Sequence, residues 1–170
     1  MGFFSRLMGG SDEQKTAASE LEILAPVSGE LVHLENTNDP AFSSRAVGDG
    51  VAVVPQEGTV CAPVSGTVAA LFPTEHALGI MSDDSSAQVM LHIGIDTVKL
   101  EGKGFHALVA QGDHVDVGQP LVEVDFDAVR AAGFDPTVFV ILCERSENST
   151  LREHASGPVA VKEPVVWLSE

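Results

Sequence analysis

Apolar positions alternate with polar ones in short runs throughout the chain, and no stretch holds a helical period for long. "VAVV" at 51–54, "AQVMLHIGI" at 87–95, "TVFVIL" at 137–142, "PVAV" at 158–161 and "PVVWL" at 164–168 are rich in β-branched residues. Gly, Pro, Asp and Ser separate them at the spacing of an all-β sandwich or barrel. Two passages carry helical spacing instead. "FHALVAQG" at 105–112 and "DFDAVRAAGF" at 125–134 predict short covering helices, stopped by Gly112 and Gly133.

A duplication sharpens the fold prediction. "ILAPVSGELVHL" at 23–34 is echoed by "VCAPVSGTVAAL" at 60–71, with APVSG identical in both. In each copy a short strand enters, Pro and Gly force a turn, and an alternating strand leaves. "QGDHVDVGQPLVEVD" at 111–125 repeats the rhythm more loosely. Two copies are too few for a solenoid and suit a β sandwich with duplicated halves, each supplying one similar hairpin. The chain thus divides into a polar tail over 1–20 and one domain over 21–170.

Within "AQVMLHIGI", alternation puts Val89, Leu91 and Ile93 on one face and Gln88, Met90 and His92 on the other. The first set is wholly apolar and predicts the core side, so His92 points away from the core beside an exposed Met90. "SDDSS" just upstream is a turn signal. A hairpin turning about Asp84 sets His76 directly opposite His92, with Cβ atoms about 4.5–5.5 Å apart. Thr74 falls on the same side. A lone strand histidine is usually inert; two facing imidazoles are not, because their like charges keep at least one neutral near pH 7.

Three chemistries use such a pair: a metal site, an acid–base couple, and a nucleophile with a helper. His33, His106, His114 and His154 have polar or charged neighbours, form no His-x-His or HExxH pattern, and read as solvated surface residues. Zinc would then have two imidazoles only, and would need a further ligand from a partner. A nucleophilic histidine fits better. A neutral ring nitrogen can attack phosphorus while the second imidazole bonds the phosphoryl oxygens. Thr74 would fix the tautomer of His76, and an apolar rim of Phe42, Phe72 and Met90 would exclude water from a phosphoramidate.

Composition narrows the partners. Nine Lys plus Arg against 25 Asp plus Glu give a formal net charge of −16. Such a surface repels phosphate backbones, which argues against nucleic acid, and attracts basic proteins. No apolar run approaches the roughly 20 residues of a membrane span, and the start lacks a secretory h-region, so a cytoplasmic setting is expected. "MGFFSRLM" at 1–8 carries Phe3, Phe4, Leu7 and Met8 around Arg6. It reads either as a disordered tail or as a weak amphipathic helix that touches a partner or a membrane surface, such as the inner face of the cell membrane. Cys61 and Cys143 lie in apolar runs outside any CxxC pattern and read as two buried thiols.

With these residues in hand, a resemblance emerges. "AFSSRAVGDGVAVVP", "GTVAALFPTEHAL" and "VMLHIGIDTVKLEGKGF", in this order along the chain, resemble blocks of the glucose-type enzyme IIA of the bacterial phosphoenolpyruvate sugar phosphotransferase system. The resemblance runs from about residue 20 to 168. It implies that His92 is phosphorylated by the phosphocarrier HPr and passes the group to a cysteine of a sugar permease's IIB domain. It further implies that His76, oriented by Thr74, stabilises the phosphate, that Asp39 and Asp96 meet an arginine of HPr, and that no cofactor is needed. The sequence does not say whether the protein also regulates other transporters or enzymes. Pro40, Ala41 and Met90 depart from the bulky residues usual there and alter the docking collar. A regulatory module binding through the same apolar histidine face without turnover is the alternative. A His-x-His zinc peptidase lacks its motif here, and a biotinyl or lipoyl carrier lacks a lysine at a hairpin tip.

Overall fold

The computed structural model describes residues 19–170. Its strands are β1 (Glu20–Leu24), β2 (Gly29–His33), β3 (Asp49–Pro55), β4 (Thr59–Cys61), β5 (Gly66–Leu71), β6 (Ala77–Ser82) and β7 (Ala87–Ile93) in the first half. The second half has β8 (Phe105–Ala107), β9 (His114–Val115), β10 (Pro120–Val124), β11 (Val138–Arg145), β12 (Thr150–Glu153), β13 (Gly157–Val159) and β14 (Pro164–Ser169). All the pairings are antiparallel. One sheet has eight strands in the order β13-β2-β3-β11-β7-β6-β5-β9, and two small sheets run β1-β14-β12 and β4-β10-β8.

The duplication is visible in that order. About the β11–β7 seam, β2 matches β5, β3 matches β6 and β13 matches β9, while β1 with β14 matches β4 with β10. Each APVSG segment carries the chain from a small sheet into the large one. The two copies bond each other reciprocally: Leu24 N donates to Pro63 O at 2.9 Å and Cys61 N to Pro26 O at 2.8 Å. Their serines do the same job, Ser28 Oγ accepting from Val161 N at 2.9 Å and Ser65 Oγ from Val117 N at 2.8 Å. The loosely similar passage at 111–125 becomes β9 and β10, the strands that flank the second copy. Its counterpart in the first half-fold is β13 with β14.

The main core lies between the large sheet and the two small ones. Val89, Leu91, Ile93, Val138 and Val140 from the large sheet meet Ile23, Val60, Leu121 and Val166 from the small ones, all fully buried. The opposite face of the large sheet bears a second, smaller apolar cluster of Leu34, Phe42, Ala52, Phe139 and Ile141, with Met90 and Ile95 packed against it. That outer cluster is where the histidines sit.

Three expectations need correction. Residues 105–112 are not helical: Phe105–Ala107 pairs with Val122–Val124 of β10, and Gly112 takes a left-handed φ of +95°. Inter-strand hydrogen bonds there outweigh a two-turn helical pattern too short to hold itself. Met90 is half-buried, because its strand face is covered and not open. Cys143 is exposed while Cys61 is buried. A register shift between Leu142 and Glu144 breaks the alternation of β11 and turns Cys143 outward. The second helix does form, over Phe126–Ala131, with Asp125 Oδ1 accepting from Ala128 N and Gly133 at φ +89° ending it. Its Phe126 and Val129 are buried in the main core. The readings of the 1–8 stretch and of most of the 1–20 tail lie outside the described residues, although Glu20 already begins β1.

Candidate functional site

His92 lies on the central strand β7, flanked by Phe139 of β11 and Ala77 of β6. The pairing Ala77↔His92 is one residue away from the expected His76↔His92 register. The imidazoles nevertheless meet. His76 precedes β6 in a bend where Phe72 N donates to Ala77 O and Glu75 N donates to Phe72 O, with Glu75 at φ +60°. A bend, unlike a strand, does not hold side chains to strict alternation, and this one swings the His76 ring across. The ring centroids are 5.2 Å apart with an interplanar angle of 85°.

Each ring has one nitrogen committed. His92 Nδ1 lies 2.8 Å from Gly94 O. A carbonyl only accepts, so Nδ1 carries the proton and the neutral ring keeps its lone pair on Nε2. His76 Nδ1 lies 2.6 Å from Thr74 Oγ1, a hydroxyl able to donate or accept. Among the described residues neither Nε2 has a hydrogen-bond partner.

The surroundings keep both rings neutral. Burial lowers the pKa of His76 below the ordinary value, and the neighbouring His92 adds to the effect. Burial likewise lowers that of His92, outweighing the Gly94 carbonyl and the carboxylates of Asp39 and Asp96, which favour the cation. Aromatic rings supply the dry walls. Phe72 stacks on His76 at 5.6 Å and is itself 47 % exposed, forming a lip. Phe42 lies 5.1 Å from His92 and stacks on Phe139 at 4.4 Å.

The acids sit at the edge. Asp39 caps the short helix Pro40–Ser43, its Oδ1 accepting from Ala41 N at 2.9 Å, and so places Phe42 over the sheet. Asp96 opens the 3-10 turn Thr97–Leu100 at φ +59°, with Lys99 Nζ 3.9 Å from its Oδ2. Thus the structure brings together His76, His92, Thr74, Phe42 and Phe72, and the electrostatics of His92 register both Asp39 and Asp96. Met90 shares the face and packs into the outer cluster.

Sequence reasoning missed four contributors. Phe139 is fully buried directly opposite His92. Thr97 is buried with its hydroxyl on Ile93 O at 2.5 Å, behind the turn that aims Gly94 O. Asp135 holds that same turn through its backbone carbonyl, which accepts from Ile95 N at 2.9 Å. Arg45 pins the Phe42 segment by donating to Glu153 at 2.8 Å and Glu35 at 3.0 Å. Of these, only Phe139 had a signal, its parity in "TVFVIL", and reading it required knowing which strand lies beside β7. Of the four other histidines, His106 and His114 are exposed. His33 is instead half-buried with Nδ1 2.9 Å from Glu153 Oε2, and His154 stacks on Trp167. Among the described residues no group of three or more His, Cys, Asp or Glu side chains is placed to hold a metal ion. No helix among them is long and apolar enough to cross a membrane.

Comparison with known proteins identifies the family and the fold. A family model described as "phosphoenolpyruvate-dependent sugar phosphotransferase system, EIIA 1" matches residues 21–148, a span that holds every residue of the site. The glucose-specific EIICBA component of Streptococcus pneumoniae is 41 % identical over 144 residues, covering 85 % of this chain and 20 % of the relative. The β-glucoside-specific EIIBCA component of Bacillus subtilis is 39 % identical over 170 residues, covering 99 % of this chain and 28 % of the relative. The chain therefore spans only a fifth to little more than a quarter of the length of these two relatives. Among solved structures, the glucose permease IIA from Mycoplasma capricolum superposes with a TM-score of 0.80 at 34 % identity, covering 88 % of this chain and 96 % of that one. On the strength of that matched span and that shared fold, the chain belongs to the type 1 EIIA family of the phosphoenolpyruvate-dependent sugar phosphotransferase system.

Proposed function

We propose that the protein is a phosphocarrier in which His92 accepts a phosphoryl group from phospho-HPr and passes it to the cysteine of a sugar permease's IIB domain. The observation that carries this reading is the commitment of His92 Nδ1 to Gly94 O at 2.8 Å, beside a second neutral imidazole. It leaves an unprotonated Nε2 ready as the nucleophile.

In the first step the Nε2 lone pair forms the bond to phosphorus while the bond between phosphorus and the donor breaks, its electron pair leaving with the donor. The proton stays on Nδ1, and the positive charge that develops on the ring is spread into the hydrogen bond with Gly94 O. In the second step the IIB thiolate forms a P–S bond, the P–N bond breaks, and its electrons return to Nε2. His76 acts throughout as a donor. With the Thr74 hydroxyl donating to its Nδ1, neutral His76 carries its proton on Nε2 and can bond a phosphoryl oxygen in both transfers.

Phe42, Phe72 and Met90 form the rim that keeps water from the phosphoramidate and docks the partners. Asp39 and Asp96 receive a basic group of HPr at the edge of that rim. The IIB partner follows from relatives named as EIICBA and EIIBCA components, whose B unit shares a chain with the A unit. The net charge of −16 suits a basic donor surface.

The test is incorporation of acid-labile phosphate from phosphoenolpyruvate, enzyme I and HPr. His92→Ala should take none. His76→Ala should be phosphorylated but deliver its phosphate slowly. Phosphate retained on His92→Ala would overturn the nucleophile assignment, and normal delivery from His76→Ala would overturn the role of the second ring.

A further inference from the structure

Among the described residues the loop from Phe134 to Thr137 forms no hydrogen bond with either imidazole, yet both sides of the site are tied to it. The Gly94–Ile95 peptide group is held at each end: its carbonyl accepts from His92 Nδ1 at 2.8 Å, and its N–H donates to Asp135 O at 2.9 Å. One residue earlier, Gly94 N donates to Thr137 O at 2.8 Å. A continuous chain therefore runs from the imidazole N–H through one peptide group to the Asp135 carbonyl. In such chains each bond polarises the next.

The Asp135 side chain is fully engaged as well. Oδ1 accepts from Thr137 N at 2.9 Å and from Thr137 Oγ1 at 2.5 Å, closing a turn that fixes where the Asp135 carbonyl points. Oδ2 accepts from Asn38 Nδ2 at 3.1 Å. Asn38 immediately precedes Asp39, the cap of the helix that carries Phe42. Partial burial alone would raise the Asp135 carboxyl pKa, but the bonds from Thr137 and Asn38 outweigh it and hold the group ionised.

We propose that Asp135 is a positioning residue for phosphoryl transfer, whose carbonyl sets the tautomer and aim of His92 and whose carboxylate ties the Asp39–Phe42 segment to the same frame. The proposal rests on His92 being the nucleophile and adds the part that places the nucleophile and its docking rim as one unit. The two ends separate chemically. Loss of the turn frees the Gly94–Ile95 peptide to rotate, so the imidazole proton can redistribute between Nδ1 and Nε2. Loss of the Asn38 tie alone loosens the rim and leaves the ring as it was.

The experiment combines ¹⁵N spectra of the His92 ring with steady-state phosphorylation of the full chain by phospho-HPr. Asp135→Ala should convert the single Nδ1–H signature of His92 into a tautomer mixture and lower the maximal rate about tenfold, the scale of one positioning hydrogen bond. Asn38→Ala should raise KM for phospho-HPr a few-fold, with the maximal rate and ring spectrum unchanged. Asp135→Asn keeps an acceptor for Thr137 N and should restore the ring signature and most of the rate.

Wild-type ring spectra and rate in Asp135→Ala would overturn the proposal. So would an Asp135→Asn variant as slow as Asp135→Ala, since the effect would then be one of charge. Should Asp135→Ala fail to fold, the other two variants decide the matter: an unchanged KM in Asn38→Ala overturns the tie to the rim. The ring spectra need no phosphate, so a wild-type chain that takes none from HPr refutes the phosphocarrier reading while the tautomer result still decides the placement of His92.

Discussion

At the scale of single residues, protonation governs the site. Both imidazoles are held below the ordinary histidine pKa in the folded protein, mainly by burial. In the unfolded chain they titrate near about 6.5. Between that value and their folded values the unfolded state binds more protons, so stability rises with pH there and falls as the solution is acidified. His114, raised by its bond to the Asp83 carboxylate, contributes in the opposite direction, gaining stability as pH falls. Replacing both site rings, His76→Asn with His92→Gln, should therefore flatten the acid limb of stability measured by urea unfolding from about pH 7 to 5. An unchanged limb would show that the rings are not buried neutral. If His92 is the nucleophile, as proposed, the same depression keeps its lone pair free at neutral pH, so phosphorylation by phospho-HPr should be flat above about pH 6.5 and decline only below it. Thr74 acts one bond further out. With the hydroxyl at 2.6 Å from His76 Nδ1 removed in Thr74→Val, the preferred tautomer of His76 is lost. Delivery to the IIB cysteine should slow about tenfold, the scale of one oriented hydrogen bond, with folding changed by less than about 1 kcal/mol. Delivery at the wild-type rate would remove Thr74 from the mechanism.

At the scale of elements, close backbone approach requires the glycine that ends each copy of the duplicated APVSG turn. A Cβ on Gly29 would lie 1.9 Å from Val54 O, and one on Gly66 2.0 Å from Met81 O, because at both places the paired neighbouring strand, β3 or β6, brings a backbone carbonyl against the glycine. Gly29→Ala and Gly66→Ala should each destabilise by about 2–3 kcal/mol, and by similar amounts, given the strain of overpacking. Gly79→Ala is the contrast: it meets only Gln88 Nε2 at 3.5 Å and should change stability by less than about 0.5 kcal/mol. Denaturant midpoints that rank Gly79→Ala with the other two would refute the close-approach account. These elements also mark what the sequence could and could not disclose. Val89, Leu91 and Ile93 announced the buried face of β7 because a period of two leaves His92 nowhere else to point. Repetition of APVSG announced the paired halves. The register of His76 was legible only to within one residue, since the bend at 72–76, with Glu75 in a left-handed conformation, is set by contacts outside the hairpin. One such contact is Glu75 Oε2 accepting from Ala107 N at 3.1 Å. The rim segment over 34–45 was legible as residues but not as a place. Its position depends on Arg45 reaching Glu153, more than a hundred residues away in sequence. Phe139 and Asp135 were hidden for the same reason: each acts through a strand or loop whose neighbours only the tertiary pairing reveals.

At the scale of the whole molecule, charge and shape divide the work. The histidine face is apolar and central, lined by Phe42, Phe72, Met90 and Phe139, and contains no carboxylate of its own among the stacked rings. Asp39 and Asp96 stand outside it, and the formal charge of −16 is a property of the chain as a whole. On the proposed phosphocarrier reading, attraction of a basic donor is therefore a long-range effect, and discrimination at contact is a short-range effect of the rim. Long-range attraction is screened over a Debye length of about 10 Å at 0.1 M salt and about 3 Å at 1 M. Salt should thus slow association with phospho-HPr by about tenfold or more between roughly 0.05 and 0.5 M, as expected for steered encounter. Dissociation should change far less, because the apolar contacts that hold the docked pair are not screened. Neutralising the edge with Asp39→Asn and Asp96→Asn should lower the association rate and shallow its salt dependence, whereas Phe72→Ala, which removes a half-exposed ring without altering charge, should speed dissociation and leave the salt slope intact. Stopped-flow rates at several ionic strengths separate the two. A salt slope reduced by Phe72→Ala but not by the aspartate changes would reverse the assignment of steering to the acids and grip to the rim.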